Sequence, residues 1–221
     1  MISLALDFAG PEGQVAIADG ERLLFKANRP AGPGTVEGIV PFLLSALDGA
    51  GLTAADLDII AATTGPGSFT GIRAGLAAAQ GLALSHGRPV IGLTVFEAIA
   101  LSLTGADDPI LIALDGRRAD LFVQLRLDGA EEPGEPVNVA PDRLDGMVPT
   151  VPVKLAGSAA DRARQGLIAA GRSPAAVSVL PDLLNPDIAR LACHAATLSG
   201  QRPTFPPEPF YGRAPDARPQ R

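Results

Sequence analysis

The order of predicted elements indicates an α/β protein of two lobes, each a mixed five-stranded sheet with flanking helices. Apolar runs of strand length alternate with helical stretches along all 221 residues, as in folds where helices cover a sheet. The order strand, hairpin, helix, strand, helix, strand, helix occurs twice, without a repeat at the level of residues. We therefore predict a first lobe over residues 1–104 and a second over residues 105–221, with antiparallel first strands in each sheet.

Short apolar stretches predict the strands. In the first lobe they are ISLALDF, the hairpin strands QVAIAD and ERLLFKA, then LDIIAAT and VIGL. In the second lobe they are PILIALD, ADLFVQLRL, the weaker VNVA, VPVKLAG and AVSVL. The hairpin turns at Asp19-Gly20, a pair typical of tight turns.

Capping residues predict where the helices begin. The predicted caps are Thr35 for a helix over residues 36–47, Thr70 for a helix running to about Ser85, Thr94 with Glu97 for VFEAIALSL, Ser158 with Asp161, and Asn185 before Pro186. Pro41 lies inside the first of these helices, so we expect a kink or a late start there.

Composition limits the classes of protein and their location. Cys193 is the single cysteine of the sequence, so no disulfide forms within the chain and a reducing compartment is expected. The first residues lack the basic region of a signal peptide, and no uncharged stretch reaches the roughly 20 residues of a membrane helix. The net charge of −6 argues against autonomous nucleic-acid binding. We expect a cytoplasmic protein.

The stretch TTGPGSFTGIRAG, residues 63–75, lies between a predicted strand and a predicted helix. A phosphate-binding P-loop needs Lys and Ser or Thr after its last glycine, where Ile72 and Arg73 stand. The glycines miss the dinucleotide-binding spacing by one residue, and no acidic residue closes the next strand. A nucleophile elbow needs glycine where Pro66 stands. These three glycine-loop chemistries are excluded.

Two interpretations of this loop remain open. Gly71, Gly75 and Ala79 recur four residues apart, which gives the helix a face almost without side chains. Such a face allows close approach to the protein's own sheet or to a helix of another chain. The loop also offers N–H groups at a helix N-terminus, where an anion can bind. A metal site is not indicated, because His86 and His194 lack companions at ligand spacing.

Several stretches together resemble one known family. GPGSFTGIRAGLAAAQGLA, with ISLALD, RPVIGLTVFEAIA, ALDGRRADLFV and PFYGRAPDA, resembles the bacterial TsaB (YeaZ) family of tRNA threonylcarbamoyladenosine biosynthesis proteins. The resemblance covers nearly the whole chain and is weak over about residues 128–149. It implies the actin-like, RNase H-like two-lobe fold called ASKHA.

The resemblance also implies a function and a set of partners. TsaB proteins are non-catalytic partners of TsaD, the enzyme that transfers a threonylcarbamoyl group onto an adenosine beside the anticodon, with the ATPase TsaE also needed. This implies a scaffold subunit that binds a TsaD-like subunit, works beside a TsaE-like ATPase and forms a homodimer when alone. No cofactor, metal, membrane or direct tRNA contact is expected. The alternative is an enzyme, either a small ASKHA ATPase or kinase, or a glycoprotease.

The implied site residues fall into three groups. The signature loop and expected interface comprise Gly65, Pro66, Gly67, Ser68, Phe69, Thr70, Gly71, Arg73, Gly75 and Ala79. Asp7 marks a vestigial nucleotide site or a simple turn; family members often have Thr after it, where this chain has Phe8. Asp115 and Arg117 match the family's Asp-x-Arg and form either an interlobe or interface ion pair or an exposed salt bridge.

Two further expectations concern surfaces. The bare face of the helix after the loop is expected to meet another subunit, with the helix over residues 36–47 beside it. Near the C-terminus, the resemblance returns at residues 209–213 after a proline-rich stretch. We expect residues 209–213 to dock on the folded body, with disorder beginning only after about residue 215.

Overall fold

Two five-stranded sheets with the same topology form the framework of the protein. The computed structural model describes residues 1–30, 32, 34–103, 108–116, 119–127, 133–200 and 206–212. The first sheet contains β1 (Ile2–Asp7), β2 (Glu12–Asp19), β3 (Arg22–Pro30), β4 (Ile59–Thr63) and β5 (Val90–Leu93). The second contains β6 (Ile110–Asp115), β7 (Leu121–Arg126), β8 (Val137–Val139), β9 (Val153–Ala156) and β10 (Val177–Val179).

The strand order is β3-β2-β1-β4-β5 in the first sheet and β8-β7-β6-β9-β10 in the second. In each sheet the first strand pairs antiparallel with the second and parallel with the fourth. The two sheets are therefore copies of one topology, with β6 in the place of β1. Both of these central strands end in an aspartate, Asp7 and Asp115. The predicted α/β fold with two mixed five-stranded sheets is confirmed.

Five α-helices cover the sheets: α1 (Ile39–Gly49), α2 (Phe69–His86), α3 (Val95–Ala100), α4 (Ala160–Ala169) and α5 (Ile188–Ser199). Thr35 does not cap α1, because its hydroxyl donates to the Gly32 carbonyl (2.6 Å) and the helix begins three residues past the predicted start. Pro41 consequently lies in the first turn, where the absence of a backbone N–H costs nothing. The predicted late start is confirmed.

The other predicted caps have mixed outcomes. Thr94 and Glu97 form the predicted capping box of α3. Ser158 does not cap α4; the N–H of the next residue, Ala159, donates to the Ala113 carbonyl in β6 (3.0 Å). Asn185 is also not a cap, because Asp187 accepts the Ala189 N–H (3.2 Å) and begins α5 two residues later.

The packing of the helices ties the two lobes together. Helices α1 and α2 cover one face of the first sheet, and α5, from the end of the chain, covers the other. Phe96 of α3 is fully buried in the same core cluster as Ile112 and Leu114 of β6. The first five strands form one sheet and the last five the other, while α5, from the end of the chain, packs on the first sheet. The proposed boundary at residues 104–105 lies outside the described residues.

Candidate functional site

The glycine-rich loop between β4 and α2 is a junction of backbone segments. Three of its glycines lie against main-chain carbonyl oxygens: Gly65 against Phe210, Gly67 against Ala9, and Gly71 against Phe8. A Cβ atom at any of these positions would overlap the oxygen. Gly65 also has φ of +109°, which favours glycine. Close packing of backbones therefore explains the glycines of this loop.

The cap of α2 lies two residues before the predicted Thr70. The Ser68 backbone is extended, its N–H donates to the Ala9 carbonyl (2.8 Å), and its hydroxyl accepts the Gly71 N–H (3.2 Å). Attachment to Ala9 fixes Ser68 outside the helix, so that the first turn begins at Phe69. Thr70 is exposed and lies within this first turn.

The bare face of α2 is turned inward, which corrects the expectation that it meets another subunit. Gly71, Gly75 and Ala79 are buried. A Cβ atom at Gly75 would lie 3.2 Å from the Phe8 ring, which itself packs edge-on against Phe42. The small residues thus allow α2 to lie close to β1 of its own sheet. The external face of α2 carries different residues.

Two members of the signature group are exposed and form an aromatic cluster with the C-terminal segment. The Phe69 ring stacks on Tyr211 with 5.1 Å between centroids. The Arg73 guanidinium lies 3.9 Å from the centre of the Phe69 ring and its Nε donates to the Tyr211 hydroxyl (2.6 Å). Arg73 is therefore held by a cation–π contact and a hydrogen bond together.

Residues 206–212 dock along the first lobe and reach the second. The Phe210 N–H donates to the Thr64 carbonyl (2.8 Å), and Gln80 donates to the Pro207 carbonyl (3.3 Å). At its end, a Cβ atom at Gly212 would lie 2.8 Å from the ring of Phe122 in β7. The docking predicted for residues 209–213 is confirmed as far as Gly212. Arg213 and the predicted disorder after residue 215 lie outside the described residues.

A cavity of about 380 Å³ separates the ends of β1 and β6. Asp7 and the loop residues Pro66, Gly67 and Ser68 line it from the first lobe, and Asp115 and Ser158 line it from the second. None of its described lining residues is Lys or Arg. The described lining therefore offers carboxylates and hydroxyls.

Asp7 is almost fully buried at the mouth of this cavity. Its Oδ1 accepts hydrogen bonds from the Thr63 hydroxyl and from the Ala9 N–H (2.9 Å). Burial raises the pKa of the Asp7 carboxyl above its ordinary value, because the two hydrogen bonds only partly offset desolvation. The side chain of Asp7 thus ties down the turn that follows it and also lines the cavity.

Phe8 accounts for the departure from the family's Asp-Thr pattern. Its ring is 5% exposed and packs into the core between β2 and α2, where it lies against Gly13 and Gly75. The residue that follows Asp7 consequently offers the cavity no hydroxyl, and its side chain lies on the opposite side of the strand.

Asp115 forms an ion pair within the second lobe. Arg162 of α4 donates from Nη1 to Asp115 Oδ1 (3.0 Å) and from Nη2 to the Ala119 carbonyl (2.7 Å). Arg117 lies outside the described residues. The sequence pattern did not point to Arg162, which stands 47 positions after Asp115 with no motif linking them.

An exposed apolar surface lies on the outer sides of α1 and α2, which contact each other. We call it the α1–α2 face; its members are Val36, Val40, Leu44, Ala77 and Gly81. Val40 and Leu44 are 52% and 51% exposed, and Val36 before them is 43% exposed. A Cβ atom at Gly81 would meet open space. Phe69 and Leu84, both exposed, stand near the two ends of α2.

Curated relatives share part of the chain. A Mycobacterium bovis protein, described as uncharacterized, is 36% identical over 146 residues, 63% of this chain and 65% of its own length. The tRNA threonylcarbamoyladenosine biosynthesis protein TsaB of Escherichia coli is 36% identical over 87 residues, 38% of this chain and 37% of its own. The matched part of this chain thus spans less than two thirds of these relatives.

Two solved structures from Pseudomonas aeruginosa share the fold at 23% identity. A protein with similarity to the peptidase YeaZ has a TM-score of 0.75 and covers 96% of this chain and 99% of its own. YeaZ itself has a TM-score of 0.70, and the match covers 90% of this chain and 92% of the YeaZ chain.

The duplicated sheets and the cleft between them define a two-lobed protein of the actin-like, RNase H-like (ASKHA) class. Residues 32–169 match the family described as TsaD: tRNA N6-adenosine threonylcarbamoyltransferase, and the chain belongs to that family. The resemblance to the TsaB (YeaZ) branch is confirmed by the TsaB relative and the YeaZ structures.

Proposed function

We propose that this chain is a non-catalytic scaffold subunit of a cytoplasmic complex that makes tRNA threonylcarbamoyladenosine. Its partner is a TsaD-like catalytic subunit, with a TsaE-like ATPase in the same complex. The observation that carries the proposal is the α1–α2 face, which combines an apolar stripe on α1 with small residues on α2.

The stripe is suited to a helix of another chain. Val40 and Leu44 of α1 stand four residues apart, which is the spacing of one helix side, and the exposed Val36 precedes them in the turn before the helix. Ala77 and Gly81 have the same spacing on α2 and let a partner backbone approach closely. Exposed apolar side chains on two helices that contact each other favour a protein-binding surface. We propose that the same face pairs two copies of this chain when no partner is present.

The interlobe cavity favours the scaffold over the rival enzyme. A kinase or ATPase needs its cleft side chains free for the nucleotide and its metal ion, whereas Asp7, one of the two carboxylates of the described lining, is engaged within the protein. Asp7 is bound by Thr63 and Ala9, and Phe8 turns its ring into the core. We therefore propose that the chain alone neither hydrolyses ATP nor modifies tRNA. Turnover of labelled ATP by a preparation free of other proteins would contradict this.

The binding proposal is tested by affinity capture of a purified TsaD-like protein from the same organism. The test variant Val40→Asp/Leu44→Glu places two charges on the α1–α2 face. Its control is Val151→Asp, because Val151 is equally exposed (49%) but lies in the second lobe. We expect at least tenfold weaker capture for the double variant, the effect of losing about 1.4 kcal/mol, and unchanged capture for the control.

Circular dichroism must show both variants folded. Equal capture of the double variant and the wild type would place the interface elsewhere. No capture of any form, at concentrations where the wild-type chain is folded, would contradict the partner itself.

A further inference from the structure

A second pocket, of about 530 Å³, lies between the lobes and is separate from the cavity at Asp7. The two share only residues 184–186, which form a wall between them. The second pocket is lined by the beginning of β2, by Lys26 of β3, by Ser102 just after α3, and by residues 181–187 with the first turn of α5. It plays no part in the function proposed above.

Gln14 of β2 is the central observation. Its side chain lines the pocket and is only 8% exposed. It makes no hydrogen bond to any described residue, whereas Oδ1 of its register partner Asp7, on the same face of the sheet, accepts two. The Gln14 amide is thus left to the solvent of the pocket. A ligand that accepts from its NH₂ group would give it a protein-like partner there.

Ser102, just after α3, lines the same pocket. Its hydroxyl oxygen is buried and has no hydrogen-bond partner among the described residues. Native proteins leave few buried polar groups unsatisfied. This hydroxyl and the unpaired Gln14 amide beside one pocket indicate a site for a ligand that forms hydrogen bonds.

Arg190 of α5 supplies the charge. Its guanidinium donates from Nη1 to the Leu101 carbonyl (2.8 Å), at the end of α3, and forms no ion pair with a described residue. The other cation of the pocket, Lys26, is already paired with Asp187 (3.4 Å). The remaining carboxylate, Asp182, is exposed, where solvent screens its charge. The half-buried Arg190 is therefore the charge that a ligand would meet.

We infer that this pocket binds a small oxyanion, a carboxylate or a phosphate. Its oxygens would accept from the Gln14 amide and from the remaining Arg190 N–H groups, with the Ser102 hydroxyl as a further donor. Guanidinium and amide donors around one pocket suit such groups, because hydrogen bonds to a charged acceptor are the stronger ones. The two sources, an organic acid and free phosphate, share this chemistry.

The test is an NMR titration with sodium phosphate and, separately, sodium succinate, at constant ionic strength balanced by chloride. The side-chain NH₂ of Gln14 and the Nε–H of Arg190 should shift and saturate with one of the two probes. The variant Gln14→Met keeps the length of the side chain and removes its hydrogen-bonding groups. We expect it to weaken binding about tenfold or more, as for loss of a hydrogen bond to a charged group.

Arg22→Gln is the control, because it removes an equal charge from an exposed position on the same sheet. It should leave binding unchanged, whereas Arg190→Gln should reduce it. The inference is overturned if neither probe gives saturable shifts, since the pocket then holds water only. It is also overturned if Gln14→Met binds as the wild type does, or if chloride alone produces the same shifts.

Discussion

Three glycines of α2 provide one matched test of how this helix is seated. Replacing Gly71, Gly75 or Gly81 by alanine adds the same methyl group to the same helix. At an unobstructed interior position the change stabilises by roughly 0.5–1 kcal/mol, because glycine loses more backbone entropy on folding. Differences among the three variants therefore report on what each methyl group meets.

The structure gives each position a different neighbour. Gly81 faces open space, so Gly81→Ala should gain the full amount. At Gly75 the methyl would lie 3.2 Å from the Phe8 ring and 3.6 Å from Leu6. These side chains can shift slightly, which leaves the net change near zero. At Gly71 the methyl would overlap the Phe8 carbonyl, which is main chain and cannot move without β1.

Both changes gain the same backbone entropy, so Gly71→Ala and Gly81→Ala should differ in free energy of unfolding by the overpacking cost, about 1–3 kcal/mol. For a chain of this length the difference corresponds to roughly 2–12 °C in Tm. Urea denaturation followed by circular dichroism, at several protein concentrations to separate dimerisation, measures it. Equal stability of Gly71→Ala and Gly81→Ala would refute the seating of α2 on β1.

Two other changes test the site at single side chains. Asp7→Asn should raise Tm near neutral pH. The pKa of the Asp7 carboxyl is raised in the folded protein. The ionised carboxyl therefore costs stability as pH rises from about 3.9, its unfolded pKa, through the folded pKa. The advantage should shrink on acidification, and a pH-independent loss in Tm would contradict this assignment. Ser68→Ala should lower the free energy of unfolding by about 1 kcal/mol, because it removes the N-cap of α2. Thr70→Ala should stay within about 0.5 kcal/mol of the wild type. A larger loss for Thr70→Ala than for Ser68→Ala in urea denaturation would show that Thr70 is the cap.

The strands and their order followed from the sequence because each is a short apolar run between turn residues. The inner face of α2 did not follow. Gly71, Gly75 and Ala79 indicate close approach but do not say to what, and the answer depends on Phe8, whose ring fills the space beside them. The choice among nearby capping residues also depended on tertiary contacts, since the Ala9 carbonyl holds Ser68 outside the helix.

Long-range pairs in the cleft were beyond the reach of sequence patterns. Asp115 meets Arg162 only because α4 begins beside the end of β6. In the sequence, Gln14 is an ordinary polar residue of a strand. Its place in a pocket follows only from the packing of α5 on the first sheet. The docking of the C-terminal segment was predictable, because its aromatic residues stand out in a proline-rich stretch.

The central claim is that the α1–α2 face binds a TsaD-like subunit. Hydrogen–deuterium exchange of the chain, alone as a monomer at low concentration and with excess TsaD-like protein, tests it most directly. We predict slower exchange on binding in peptides covering Ile39–Gly49 and Phe69–His86, and unchanged exchange in Val177–Val179 and the adjoining second sheet. Protection confined to the second lobe, with α1 and α2 unchanged in a saturated complex, would contradict the account.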